Sequence, residues 1–563
     1  MRTRVRWLGR VAYTEALDLQ RALHERATDD RLLLLEHPHV YTLGSRADPA
    51  HVLVPPASVG AELVRTDRGG DVTYHGPGQL VGYPIISLAE WGAGGYDVVA
   101  YVRRLEAVLI DALAELGVSA ERDPDYTGVW VDGAKIAAIG IRVARGRTRH
   151  GFALNVDPDL AMFDHIVPCG IPDRPVTSLA RLGVAVEMRA AVDAVVSSFA
   201  RHFDVAEIER QDVVWRHRPE DLSAFSRGLG AADVRSGPAE PEPKAGSANA
   251  PAPRPVRLLG RLAEAGVDPV APSRRPEWMR VRADLGPGYR RTRRLTRDLG
   301  LHTVCEEAGC PNIYECWADG TATFMILGAR CTRACGFCLI DTRRPEPADP
   351  GEPERVADAV AQLGLAHTVI TCVARDDLAD GGAGVFAATI AAIRRRAPGT
   401  RVEVLISDCG GDAGALATII DARPDVLNHN LETVARLQRA ARPSAGYARS
   451  LTVLARSAAA GLVTKSGLIV GMGETEAEVR GALADLADVG VDIVTIGQYL
   501  QPSARHLPVA RWWHPDELAA IGEYARTLGF AHVEAGPLVR SSYHARRGAD
   551  AATPNALIGA AHS

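Results

Sequence analysis

Six of the nine cysteines fall between Cys305 and Cys338, in two runs that offer three thiols each. Cys331, Cys335 and Cys338 form CTRACGFC, a CxxxCxxC spacing directly after the apolar run ATFMILG. Three thiolates from one loop can hold three irons of a 4Fe–4S cluster and leave the fourth iron open to an outside ligand. Upstream, Cys305, Cys310 and Cys316 lie in CEEAGCPNIYEC, again with three thiols. The inference is a second cluster with a non-cysteine fourth ligand, and VRSSYHARRG offers Ser541 or Ser542. A structural zinc would want four closed ligands. In a long chain of cytosolic composition, such crowding favours metal ligation over disulfides.

A second concentration of chemistry lies in the first half. Arg68 to Gln79 read RGGDVTYHGPGQ. Glycines at that density let backbone N–H groups approach a ligand, and Arg68 and His75 can orient polar ligand atoms. Taken alone, the run is equally a tight structural turn. Lys135 lies in VDGAKIAAIGIR and Cys169 in VPCGIPDRPVTSL, both apolar contexts. A cysteine nucleophile needs a thiolate, which a nearby ammonium favours. A lone cysteine is more often an inert buried thiol, whereas a lysine in an apolar segment must snorkel or find a partner.

These residues need scaffolds. At 563 residues the chain exceeds the roughly 250–300 at which single cores stop growing. Ala231 to Pro255 read AADVRSGPAEPEPKAGSANAPAPRP, with almost no large apolar side chain to offset the entropy of ordering. The expected organisation is a first domain over 1–225, a Pro/Ala-rich linker over 226–260 and a second domain over 261–563. The first mixes helical patterns (Thr14 to Arg26, Val98 to Leu116) with strands (Arg31 to Glu36, and one ending near Ile86), as in an α/β or α+β domain. In the second, β-rich runs at Thr323–Leu327, Thr368–Cys372, Arg401–Ile406, Leu462–Ile469 and Asp492–Ile496 alternate with helical stretches. That alternation predicts a parallel barrel or partial barrel. Asp376, Asp377, Asn430, Glu432 and Lys465 are expected in loops after strands, where a barrel gathers its functional groups.

The bulk numbers exclude some classes. With 47% apolar residues, 24% charged residues and no long uncharged apolar window, an ordinary soluble protein without a membrane partner is expected. The N-terminus lacks an apolar h-region, so a cytoplasmic location is expected. A net charge of −5 gives no basic footprint for nucleic acid.

The combination of RGGDVTYHGPGQ, GAKIAAIG, HGFALNV and PCGI resembles octanoyl-acyl-carrier-protein:protein octanoyltransferases over essentially all of residues 1–225. The resemblance implies a fold like that of biotin and lipoate protein ligases. It implies that Cys169 carries the acyl group as a thioester and that Lys135 activates it. It further implies an acyl and carbonyl site lined by Arg68, Gly69, Gly70, Asp71, Val72, Thr73, Tyr74 and His75, by Ala138, Ile139 and Gly140, and by Gly151, Phe152 and Ala153. Lipoate ligases share the fold but bind ATP and use no acyl-enzyme, and the Cys169 and Lys135 pair argues against that reading.

GLHTVCEEAGCPNIYECW and ATFMILGARCTRACGFCLIDT, followed by DDLADGG, NHNLETV, KSGLIVGMGET, TIGQYLQPSARHLPV and RSSYHA, resemble lipoyl synthases of the radical S-adenosylmethionine family over about residues 270–550. The resemblance implies a partial TIM barrel with two 4Fe–4S clusters. One, on Cys331, Cys335 and Cys338, cleaves S-adenosylmethionine; the auxiliary one, on Cys305, Cys310, Cys316 and Ser542, is the sulfur source. Cys372 and Cys409 match no family ligand and are expected to be structural thiols. Two departures are a Cys372-Val373-Ala374 run where the family more often has Ser-Val-Asp, and the absence of its usual proline near Ser407.

Together the resemblances imply a lipoyl(octanoyl) transferase fused to a lipoyl synthase: octanoate is attached to a lysine, then sulfur is inserted at C6 and C8 of that chain. The implied partners are octanoyl-acyl carrier protein, the lipoyl domains of 2-oxoacid dehydrogenases and the glycine cleavage H protein, and an electron donor such as ferredoxin or flavodoxin. A rival is that only one half is active and the other is a carrier-docking module. The presence of both motif sets argues against it.

Overall fold

The computed structural model describes residues 2–88, 97–171, 173–215, 256–268, 274–280, 286–318 and 322–552. It divides after Trp215 into two compact units. The Pro/Ala-rich stretch from Ala231 to Pro255 lies outside the described residues, and the helix Val256–Glu264 begins within the 226–260 span assigned to the linker.

In the first unit the strands are β1 (Arg2–Arg10), β2 (Asp30–Glu36), β3 (Val40–Leu43), β4 (Glu62–Arg65), β5 (Val72–His75), β6 (Gln79–Ile85), β7 (Val129–Val131), β8 (Ala134–Ala144), β9 (Arg147–Asn155) and β10 (Glu207–Asp212). Seven form one mixed sheet in the order β10-β1-β2-β6-β9-β8-β7, and β4-β3-β5 form a second. The run Leu32 to Leu35 is buried throughout, as a central strand covered on both faces requires. Leu105, Leu109, Val192, Val195 and Phe199, from the helices Val98–Glu115 and Met188–His202, pack with Leu32, Leu34 and Leu154 in one core. Asp97 starts the first of these helices by accepting from the Ala100 N–H at 2.9 Å, satisfying one otherwise orphaned donor.

The second unit continues with β11 (His302–Thr303), β12 (Thr323–Ile326), β13 (His367–Cys372), β14 (Arg401–Leu405), β15 (Val426–Asn428), β16 (Val463–Val470), β17 (Ile493–Gln498) and β18 (His532–Gly536). They lie in sequence order, parallel from β12 to β18, with β11 antiparallel at one edge. Successive parallel strands are joined through the helices Glu352–Leu363, Ala383–Arg396, Ala413–Asp421, Tyr447–Ala459, Glu476–Asp488 and Pro515–Thr527. This is the βα alternation of a partial barrel, and its loops gather functional groups at the C-terminal ends of the strands. Among the described residues, no helix is long and apolar enough to cross a membrane.

Lys465 corrects one expectation. It is not in a loop after a strand but within β16, with its side chain 1% exposed. Its Nζ donates to Glu403 Oε1 at 2.9 Å, Asn428 Nδ2 donates to the same oxygen at 3.3 Å, and His367 Nε2 lies 3.2 Å from Glu403 Oε2. Burial alone would raise the Glu403 carboxyl, but the Lys465 ammonium and the His367 ring together overcome that penalty and hold it at about 2. The charge therefore serves the sheet interior.

Candidate active sites

The RGG motif sits where three strands meet. The Gly69 N–H donates to the Ile141 carbonyl of β8 at 2.9 Å, and a Cβ on Gly140 would stand 3.0 Å from the Gly69 oxygen. Arg68 is buried and donates to the Thr42 hydroxyl and to the carbonyls of Thr42, Gly69 and Asp71 at 2.6–3.1 Å. Its guanidinium therefore braces the loop. Val72, Thr73, Tyr74 and His75 form β5, antiparallel to β3. Asp71 accepts from the Val72 N–H at 2.6 Å and lies 2.7 Å from His51 Nδ1.

His75 ends a directed relay. Asn155 Nδ2 donates to the Thr177 carbonyl at 2.9 Å, leaving Asn155 Oδ1 to accept from Gln79 Nε2 at 2.9 Å. Gln79 Oε1 then accepts from His75 Nδ1 at 2.8 Å, which assigns the proton to Nδ1 and makes Nε2 the acceptor. Burial drives the imidazole pKa well down, so the ring is neutral. Gln79 and Asn155 thus fix the His75 ring, a support that motif reading missed although Gln79 closes the RGGDVTYHGPGQ run itself.

The segments 138–140 and 151–153 pair directly: Ala138 with Ala153, Ile139 with Phe152, and Gly140 with Gly151 across β8 and β9. Phe152 also faces Gly82 of β6, where a Cβ would come within 2.1 Å of the Phe152 ring. A Cβ on Gly151 would meet the Gly82 carbonyl oxygen at 2.1 Å, so the strands approach this closely only with glycine there.

Cys169 occupies the left-handed region, at φ 58°, inside the tight turn Pro168–Gly170. This is a strained conformation for a side-chain-bearing residue. The turn rests on the motif: a Cβ on Gly170 would meet Asp71 Oδ2 at 2.7 Å and His51 Cε1 at 3.5 Å. The thiol is half-buried and close enough to the Arg68 guanidinium for their charges to interact. Lys135 belongs to β8 and is buried, with Nζ 4.7 Å over the Trp130 ring. Its backbone N–H donates to Pro175 and its carbonyl accepts from Thr177, both at 2.9 Å, tying it to the segment that carries Cys169.

In the second unit, the CTRACGFC loop leaves the end of β12 and is fastened throughout. Cys331 N–H donates to Asp341, Thr332 to Ala374, Gly336 to Ala441, and Leu507 to Gly336, all at 2.8–3.0 Å. His506 Nε2 lies 2.9 Å from the Cys338 carbonyl. Arg333, between the first two cysteines, lies 2.6 Å from both Asp376, past β13, and Asp408, past β14. Thr332 also donates to Asp376 at 2.9 Å. Asp408 was not foreseen, and only the charge placed among the cysteines pointed to a partner.

Burial raises the Cys331 thiol, carries Cys335 to about 12 and carries Cys338 to about 11. Cys331 Sγ accepts from the N–H groups of Arg333 at 3.4 Å and Ala374 at 3.3 Å. Half-buried, mutually interacting thiols, two of them accepting from backbone amides, suit an iron–sulfur cluster, whose cationic irons favour thiolate while the amides hold the sulfur charge. Asn430 and Glu432 lie just past β15; Asn430 Nδ2 donates to Glu432 Oε1 at 3.1 Å, and burial raises that carboxyl. Asp377 pairs with Arg375 at 2.8 Å.

The first triad meets the RSSY turn. Asn312 Nδ2 donates to the Leu538 carbonyl at 2.7 Å, and Tyr543 donates to Glu315 at 3.4 Å. Arg540 is near enough to Cys310, and Tyr543 to Cys316, for electrostatic interaction. Burial pushes Cys305 up to about 12 and also raises Cys310. Ser541 and Ser542 thus lie in the turn that faces this triad; the fold presents both, and the preference for Ser542 comes from the family resemblance. The two cysteine loops also approach each other: a Cβ on Gly309 would stand 3.8 Å from Leu339 Cδ2. Cys372 ends β13 and Cys409 sits in the next turn; burial brings both thiols to about 12.

Residues 12–200 match the lipoyl protein ligase A/B catalytic domain, and residues 325–496 match the radical SAM superfamily. The chain is similar to the lipoyl synthase of Rubrobacter xylanophilus, 57% identical over 50% of this chain and 89% of that protein. It is similar also to the lipoyl synthase of Mycobacterium ulcerans, 52% identical over 57% of this chain and 98% of that protein. Among solved structures, a bi-partite lipoate protein ligase from Thermoplasma acidophilum aligns at 17% identity over 38% of this chain and 88% of that chain, with a TM-score of 0.32.

Proposed function

The chain belongs to the lipoyl synthase family and carries a lipoyl protein ligase A/B catalytic domain ahead of its radical SAM domain, and on that premise we propose that it both attaches octanoate to a protein lysine and converts it to lipoate. In the first unit, thiolate Cys169 attacks the thioester carbonyl of an octanoyl carrier protein. A C–S bond forms to Cys169, and the carrier thiol leaves with a proton from Lys135. The lysine amine of a lipoyl domain then attacks the Cys169 thioester, its proton passes to Lys135, and the thiolate is restored. Neutral His75 and the glycine-rich backbone orient the carbonyl.

In the second unit, Cys331, Cys335 and Cys338 would hold one 4Fe–4S cluster, and Cys305, Cys310, Cys316 and Ser542 the other. When bound, the first supplies the electron that cleaves S-adenosylmethionine to a hydrogen-abstracting radical, and the second supplies sulfur. The chain's own residues fix the geometry: Arg333, Asp376 and Asp408 lock the first loop, and the 309–339 approach keeps the two cysteine runs adjacent. That adjacency carries the reading, because hydrogen removal and sulfur delivery must both reach the same carbon, first at one position and then at the other, of one octanoyl chain. The relatives named lipoyl synthase support the same conclusion. The reading further takes lipoyl domains of 2-oxoacid dehydrogenases and the glycine cleavage H protein as acceptors, and a ferredoxin or flavodoxin as reductant.

The test is mass spectrometry of a lipoyl domain after anaerobic incubation with the reconstituted chain, octanoyl carrier protein, S-adenosylmethionine and dithionite. Lipoylated domain is expected, with Cys169→Ala losing it unless octanoylated domain is supplied. Octanoylated domain alone, with both clusters loaded, would overturn the assignment of the second unit.

A further inference from the structure

The helix Pro287–Asp298, PGYRRTRRLTRD, places five arginines in twelve residues of a chain whose net charge is −5. Its inner face is fixed: the Tyr289 ring lies tilted against Trp317 at 5.1 Å and Tyr314 at 5.5 Å between centroids, and Thr292 donates to the Trp317 carbonyl. Trp317 directly follows Cys316, so this helix is bolted to the first cysteine triad. On the inner flank, Arg293 and Arg297 lie 3.6 and 3.7 Å from Glu306, next to Cys305.

The outer face is different. Pro287, Arg290, Arg291, Arg294, Leu295 and Asp298 recur at helical spacing along one stripe and, with Gln362, line a groove of about 450 Å³. Arg291 donates to the Gln362 carbonyl at 3.1 Å. All three arginines of the stripe are exposed among the described residues, and Asp298 is the one carboxylate lining the groove.

We infer that this cationic stripe is the docking surface for an acidic face of the folded carrier domain whose acylated lysine is the second unit's substrate. The inference rests on the functional reading above and adds the surface that recognises the substrate. An octanoyl chain alone carries no charge to steer, whereas a folded domain presenting carboxylates would meet an arginine row anchored beside the sulfur-delivering site. Such complementary rows raise association rates and fix orientation.

The experiment titrates an octanoylated lipoyl domain into the full chain by fluorescence anisotropy, for wild type and for Arg290→Glu/Arg294→Glu, at low and high salt. Circular dichroism and octanoyl transfer serve as controls for folding. About tenfold or greater weakening is expected in the variant, with a flattened salt dependence, while sulfur insertion into a short octanoyl-lysine peptide stays at the wild-type rate. Equal affinity of wild type and variant for the domain would overturn the docking surface. So would unchanged domain affinity together with loss of binding to a fluorescein-labelled oligonucleotide, which would reassign the stripe to nucleic acid. A wild-type chain that inserts sulfur into neither domain nor peptide would sink the functional reading instead, and the docking inference with it.

Discussion

Arg333 lies 2.6 Å from Asp408, with side-chain exposures of 9% and 0%, so a buried ion pair fastens the middle of the CTRACGFC loop to the end of β14. Arg333 and its hydrogen bonds hold the Asp408 carboxyl far below the usual carboxylate range despite its burial. Removing Asp408 leaves the buried Arg333 guanidinium with Asp376 alone, 2.6 Å away, and breaks the tie to β14. Asp408→Ala is therefore expected to cost about 3–5 kcal/mol. It should also reduce the iron bound by the chain, read by thermal melting and iron analysis; unchanged iron and melting would show that Asp376 alone suffices.

Lys465→Met should behave as an interior lesion. Glu403 would be left buried without its ammonium, at a cost of about 3–5 kcal/mol. Cluster content and sulfur insertion per folded molecule should stay near wild type. A loss of insertion in a stably folded variant would return Lys465 to the active site.

Cys169→Ala should abolish the octanoyl adduct seen by intact mass. Lys135→Met should leave the thiol titratable by alkylation but slow adduct formation by about 10²–10⁴-fold, the usual span for a positioned acid–base group. An adduct forming at the wild-type rate in Lys135→Met would remove that lysine from the chemistry.

Ser541→Ala and Ser542→Ala separate neighbours that the fold presents on one turn. Ser542→Ala is expected to keep the iron held by Cys331, Cys335 and Cys338 and to lose sulfur insertion, whereas Ser541→Ala keeps both. The reverse pattern, read by iron content and product mass, would exchange their roles.

Burial holds His37 at about 4, below imidazole's ordinary value near 6.5, while its ring nitrogens lie 2.7 Å from the Val11 carbonyl and the Tyr83 hydroxyl. The unfolded chain therefore takes up the proton first. This contribution to stability is intact above about pH 6.5 and declines as pH falls toward 4, by about 2 kcal/mol at pH 5. His37→Gln should shrink the difference between melting temperatures at pH 7 and pH 5; an unchanged difference would place the titration elsewhere.

Much of this was readable from residue order. The runs at Arg31–Glu36 and Arg401–Ile406 became β2 and β14 with ends displaced by a residue, because apolar periodicity reports burial directly. The two triads announced themselves by thiol chemistry and spacing, whereas Cys169, a lone cysteine, stood out only through the resemblance carried by PCGI and its companion segments. What stayed hidden was pairing across distance. Lys465 looked like a site residue because its partner Glu403 is 62 positions away on another strand. Asp408 and the Gln79–Asn155 relay were invisible for the same reason, since tertiary contacts leave no local periodicity. The left-handed Cys169 likewise had no signal beyond its neighbouring proline and glycine.

β1, at the start of the first unit, is zipped in parallel to β10, from Arg2 against Glu207 to Trp7 against Asp212. Its first-made strand therefore waits for almost its last. During synthesis the transferase fold cannot close its sheet edge until residue 212 has emerged, so the strand is an unsatisfied edge for most of that time. β11 begins only at His302, so every strand of the first sheet has been made before any strand of the second.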